Sequence, residues 1–324
     1  MTNAVSDLYE ALVDGYLARP EADQAPYYAV AEALRRFADS IWDDAGDANQ
    51  HVQRLLSSGR GEAMDALGQH WDKVMNQDVA SAAEAARAAG AVAYEIGDVI
   101  AVTKAQVIQI AAVCAEETVA ALVAGVVTFG AAEGAVAAAL AQARAQSRVT
   151  VEKCHRLVTS ALERLQREPS VAGLAGVAAG LAGGLAGGVG GQARDGASDT
   201  ETGRAWGNDL ATGPGRTGAE GISVDHAEHE RAAGRLREVA TQVLGETAGL
   251  LAEAARQHTT AAASGELGAA IAGALDPVLR DLATCTTAFA DHLNGALPDG
   301  ILLISTGQQA TDGDSRRRMS ELDG

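Results

Sequence analysis

Residues 28–90 read YAVAEALRRFADSIWDDAGDANQHVQRLLSSGRGEAMDALGQHWDKVMNQDVASAAEAARAAG, two helical stripes separated by one break. Before the break Val30, Leu34, Phe37, Ile41, Ala45, Ala48, Val52 and Leu55 recur every three or four residues, the period of one buried helical face. The break is Ser57-Ser58-Gly59-Arg60-Gly61, and Ser57, Gly59 and Gly61 mark it as a hairpin turn, since glycine frees the backbone from right-handed geometry. After it Ala63, Leu67, Trp71, Val74, Asp78, Ala82 and Ala86 repeat the period, with Asp78 the one polar member. At 1.5 Å per residue the first arm is about 43 Å long, so it cannot bury its stripe alone. The expected packing seam sets Val30, Leu34, Phe37 and Ile41 against Leu67, Trp71 and Val74.

Composition points the same way. Of the 324 residues 47% are hydrophobic but only 3% aromatic. Alanine supplies much of the difference; it favours helix and adds little core volume. Elongated, closely packed helices follow, rather than a thick core around a deep pocket. The isolated β-branched run Ile301-Leu302-Leu303-Ile304-Ser305-Thr306 is the nearest thing to a strand signal. The net charge of −18 is concentrated early, with 17 acidic against 7 basic residues in 1–100. Such a surface repels phosphate backbones and disfavours nucleic acid. The basic run Arg316-Arg317-Arg318 sits among Asp312, Asp314, Glu321 and Asp323 and reads as a solvated tail.

The apolar pattern continues beyond the first hairpin. Ile96, Val99, Ile100, Val107, Ile108, Ala111, Ala112 and Ala115 make a stripe, and Val149, Val151, Leu157, Val158, Leu162 and Leu165 make another. Between them 118–141 is nearly all apolar and long enough to span a bilayer, or to lie buried in a bundle. From Val171 to Gly191 the chain is only Gly, Ala, Leu and Val, with Gly176, Gly180, Gly184 and Gly188 spaced by four. Glycine rows permit close helix approach, yet each glycine weakens a helix by about 1 kcal/mol relative to Ala. This stretch reads either as a flexible linker or as a membrane-active or self-packing helix. A second helical unit then opens at Val224-Asp225, with Asp225 as N-cap, and runs through Leu236, Val239, Val243, Leu250 and Ala254 to a small-residue break at 261–265. Its return arm is Leu267, Ile271, Leu275, Val278, Leu282, Cys285, Phe289, Leu293 and Leu297, and Asp276-Pro277 would begin a helix or kink one. The expected division is a helical hairpin with further helices over 1–169, a Gly/Ala-rich linker over 170–221, a two-helix unit over 222–299 and a polar tail over 300–324.

No catalytic constellation emerges. His226 and His229 share one helix face, but they form neither HExxH nor HxxEH and have no third ligand, so they read as solvent-facing. Cys154-His155 is adjacent rather than facing. Cys114, Cys154 and Cys285 lack metal or redox spacing and sit in apolar patterns, although a Cys114–Cys154 pair is conceivable between antiparallel segments. Neither a metal nor a cofactor is expected, nor enzymatic activity. The first residues carry Asp7, Glu10 and Asp14 without an apolar core, which is not a Sec-type signal peptide.

The arm ending in Leu55-Leu56, the turn 57–61 and the continuation Glu62-Ala63-Met64 to Trp71 resemble the WXG family of type VII (ESX) secretion substrates in its enlarged actinobacterial form. Thr128-Phe129-Gly130 is similar to those larger relatives, and the likeness covers residues 20–167. Ser57 stands where the family turn carries Trp, two residues before Gly59. The second unit, opening on Ile222-Ser223-Val224-Asp225, is similar to EspC-like secreted helical proteins. The resemblance implies a chain made in the cytoplasm and exported by a non-Sec route, with secretion machinery, a helical partner or a toxin effector as partners. It also implies an export signal Tyr-x-x-x-Asp or Glu after the hairpin. Tyr94 and Asp98 fit that position, while Tyr28 with Glu32 is a second match inside the hairpin.

Overall fold

Helix α1 spans Ala25–Ser58, 34 residues and about 50 Å, with Pro26 in the first turn, where no backbone donor is lost. Val30, Leu34, Phe37, Ile41, Ala45, Ala48, Val52 and Leu55 are all buried along it. The chain reverses through Gly61, whose φ of 127° is left-handed territory that side chains resist. Helix α2 follows at Glu62–Lys73, with Glu62 and Asp65 in its first turn, charges that match the positive end of the helix dipole. Leu67, Trp71 and Val74 are buried, and the Trp71 indole N–H donates to Asn49 Oδ1 of α1 at 2.8 Å.

The computed structural model describes residues 11–128, 132–182, 225–263 and 265–322, and there the fold is an all-α bundle of long helices. Helix α2 does not stop near Gly90. It passes through a π turn, Val74–Val79, into α3 at Ala80–Thr128. Helices α4 (Ala132–Arg167) and α5 (Pro169–Ala182) follow. Then α6 (His226–Gln242) runs through a π turn, Val243–Thr247, into α7 (Ala248–Ala262). Finally α8 (Gly265–Asp291) runs through a π turn, His292–Ala296, into α9 (Leu297–Leu322). Asp225 caps α6 by accepting from the Glu228 amide. Pro277 lies inside α8 rather than starting it.

Two sequence expectations change. The first residues of the expected linker are helix α5, with Ser170, Leu174, Val177, Ala178 and Leu181 buried and the helix packed on the π turn Val74–Val79. The large residues of that segment recur at helical spacing, so packing offsets the weak propensity of its glycines. The rest of the glycine run and Trp206 lie outside the described residues. The expected tail is α9, because Leu297, Ile301 and Ile304 continue the buried stripe of α8. The run at 301–306 is helix, in keeping with the all-α expectation.

The compact units also do not follow chain order. One comprises Met1–Ala33, Ala88–Glu168 and Glu253–Pro277; the other comprises Leu34–Arg87, Pro169–Ala252 and Val278–Gly324. In the first, a π turn at Leu12–Tyr16 places Leu12 and Leu17 against Val107, Ala111, Cys114 and Ala115 of α3 and Ala143 of α4. The Ala18 amide donates to Ser147 Oγ there. In the second, α6 packs on α9 and on the π turn before it. Arg237 of α6 fixes that contact, donating to the Asn294 carbonyl and pairing with Asp299 at 3.0 Å.

Candidate functional site

The two tyrosine motifs meet. Tyr28 projects from the first turn of α1 and Tyr94 from α3, with ring centroids 5.2 Å apart and planes tilted by 51°. The Tyr28 hydroxyl donates to Asp98 Oδ1 at 2.8 Å. That hydrogen bond, then partial burial and the carboxylate charge, push the Tyr28 phenol up to about 12. Tyr94 keeps 55% of its surface exposed, and Asp98 and Glu32 are exposed as well. Tyr94 and Asp98 lie one turn apart on the same face. Between them Glu95 pairs with Arg164 of α4, and Ile96 is buried. Gly97 lies beneath the Tyr28 ring, where a β-carbon would come within 2.7 Å of Tyr28 Cε1. The site thus offers an open aromatic face beside a carboxylate.

The histidine pair expected to face solvent does not. His229 is fully buried, its Nδ1 2.8 Å from the Asp225 carbonyl, and burial holds its pKa below the usual imidazole range. His226 Nδ1 lies 2.6 Å from Ser305 Oγ of α9. Their helix covers a core, so their spacing reports packing. Among the described residues no group of three His, Cys, Asp or Glu could hold a metal ion. All three cysteines are free, buried thiols, so Cys114 and Cys154 are not bonded to each other. Burial raises all three thiols, Cys285 to about 12, which keeps them protonated at neutral pH.

At the π turns of the second unit the sequence reading singled out one polar side chain, Asp78, and missed two others, Thr247 and His292. Asp78 is buried in the first, with burial pushing its carboxyl up and Lys73 pulling it down. Thr247, in the next, donates to Asp44 Oδ2 at 2.6 Å and lies 2.6 Å from Ser40 Oγ. His292, 2% exposed, sits with its Nε2 3.1 Å from His70 Nε2. A shallow cleft of about 360 Å³ also separates α1 from α6, lined by Asp47, His51, Arg54, Glu228, Arg231 and Arg235 among others. Burial, Arg235 and Arg54 all lower the His51 pKa, while Arg231 is paired with Glu228 and Arg235 with Glu238. No family model, curated protein or solved structure matches this chain at a significant level.

Proposed function

We propose that this chain is a non-enzymatic substrate or secretion partner of a type VII (ESX) secretion system, acting through helix–helix association. It would be made in the cytoplasm and reach the cell surface or medium by a non-Sec route. Its partners are the secretion machinery or a helical protein, with a toxin effector as further cargo. The observation that carries this reading is the placement of Tyr94 and Asp98. They stand on an exposed face of the helix that follows the hairpin turn, one turn apart. The long α1–α2 hairpin supports it, with its buried stripe and its reversal at Gly61.

The test is the ratio of protein in the medium to protein in the source cell. Tyr94→Ala and Asp98→Ala should each leave the helical circular dichroism signal intact, because Ala is the better helix former, and each should sharply lower that ratio. Normal export of a folded Tyr94→Ala protein would move the signal elsewhere.

A second reading, a membrane-active helical protein, has one observation in its favour. The continuous helix Glu62–Ala121 contains an 18-residue window of mean hydropathy 1.5, of which 33% is buried. The segments read from sequence for that role, 118–141 and 171–191, are described only in part: 129–131 and 183–191 lie outside the described residues.

A further inference from the structure

Tyr28-x-x-x-Glu32 and Tyr94-x-x-x-Asp98 read as independent motifs in sequence, but the fold makes them one surface. We infer that Tyr28, Tyr94 and Asp98 form a single docking epitope for an arginine-bearing protein surface, with Tyr28 and Gly97 as positioning residues. This rests on the export reading above and names the partner chemistry of the same site.

Three observations carry it. First, the Tyr28 hydroxyl holds one oxygen of Asp98 at 2.8 Å. The carboxylate is therefore fixed in one orientation before any partner arrives, and the cost of ordering it is already met. Second, the Tyr28 ring lies against Tyr94, 5.2 Å between centroids, and braces an exposed aromatic face beside that carboxylate. Third, the seat beneath Tyr28 is a glycine, and any β-carbon at position 97 would displace the ring.

The chemistry selects the partner. Among the described residues no cation pairs with Asp98, whereas the neighbouring Glu95 is taken by Arg164. A planar guanidinium can stack on Tyr94 while its N–H fork meets the carboxylate; an ammonium, a compact point charge, can do only the second. The excess of acidic residues in 1–100 favours the approach of a cationic surface and repels an anionic one.

The experiment measures export from the source cell for six variants: Tyr94→Ala, Asp98→Ala, Asp98→Asn, Tyr28→Ala, Tyr28→Phe and Gly97→Ala. Circular dichroism and thermal melting of each confirm that it is folded. The expected result is a loss of about tenfold or more for Tyr94→Ala, Asp98→Ala and Asp98→Asn, the equivalent of one charge-assisted contact. Tyr28→Ala and Gly97→Ala should fall nearly as far, and Tyr28→Phe, which keeps the ring and loses the hydroxyl, should lie between. Loss confined to Tyr94→Ala and the Asp98 variants overturns the composite epitope and leaves the export reading standing. Full export of Asp98→Asn overturns the arginine partner, because the amide keeps the acceptor and removes the charge. Normal export of every folded variant overturns both this inference and the assignment of Tyr94 and Asp98 as the export signal, whereas absence of the parent protein itself from the medium overturns the export reading. Should Gly97→Ala fail to fold, Tyr28→Phe alone decides between the first two outcomes.

Discussion

Gly61 shows what a single residue contributes here. Its φ of 127° and ψ of 170° belong to a region that only glycine occupies without strain. Gly61→Ala should therefore cost about 1–3 kcal/mol, the usual range for forcing a side chain into such a conformation. Gly59 differs, because a β-carbon there meets only the flexible Met64 side chain, at 3.1 Å. At Gly46, in the middle of α1, a β-carbon would have nothing within 4 Å of it. Gly46→Ala should stabilise the protein by up to about 1 kcal/mol through helix propensity. Urea denaturation of the three variants checks the order: Gly61→Ala least stable, Gly46→Ala most. A Gly61→Ala protein as stable as the parent would mean that the turn adopts another conformation. The sequence placed the break at 57–61, whereas Ser57 and Ser58 belong to α1 and the chain leaves the helix only at 59–61; it also could not show which glycine the backbone needs, since that depends on φ.

At the scale of elements the π turns decide the register. A helix of 3.6 residues per turn drifts about 40° with each step of four. Val74, Asp78, Ala82 and Ala86 step by four, and so do Cys285, Phe289, Leu293 and Leu297. The extra residue of a π turn brings such a row back to the core, and a π turn lies within each of these runs. In α6–α7 the same insertion moves burial from the expected Leu250 to Leu251. The buried seams were thus legible as periods, and the runs of four were the overlooked trace of the π turns. The part-buried His70–His292 contact was not legible, because it joins residues far apart in sequence, and periodicity reports only each helix's own face. Discontinuous compact units escaped for the same reason.

That contact predicts acid sensitivity. Burial, then Lys73, lowers His70 to about 4, and burial, then His70, lowers His292 to about 3. An unfolded imidazole protonates near 6.5. Between that value and the folded ones, the unfolded chain binds more protons, so stability is full above about 6.5 and falls as pH drops toward 4. His51, His229 and His258 are shifted in the same direction. The carboxyls of half-buried Asp44 and buried Asp78 are raised, which opposes the loss at the acid end. Each titrating imidazole contributes a slope of up to about 1.4 kcal/mol per pH unit. The urea midpoint should fall steadily from pH 7 to 4.5. A His70→Leu, His292→Leu double variant should show a shallower fall, and an equal slope would place the acid sensitivity in the other histidines.

For the whole molecule the open question is whether an apolar helix with a large exposed surface meets lipid or protein. Within the first compact unit α3 exposes Val102, Ile108, Val113 and Val123, yet Ile96, Ile100, Val107, Ala111, Cys114 and Ala115 of the same helix are buried. Lys104, Glu116 and Glu117 interrupt its apolar sequence. Placing a lysine or acid near the centre of a bilayer costs about 2.5–3.5 kcal/mol on insertion scales, and more on an isolated helix. The net charge of −18 adds repulsion from an anionic leaflet within a Debye length. A helix already half engaged in a core gains little by exchanging those contacts for acyl chains, which are no more apolar than the side chains it would leave. At pH 7 and physiological salt the full chain should therefore remain at the bottom of a flotation gradient, with zwitterionic and anionic vesicles alike. Flotation with zwitterionic vesicles would favour the membrane reading over export. Flotation with anionic vesicles alone would contradict the charge argument and point to a local basic surface. Retention with both leaves the exposed valines and Ile108 for a protein partner, consistent with association between helices.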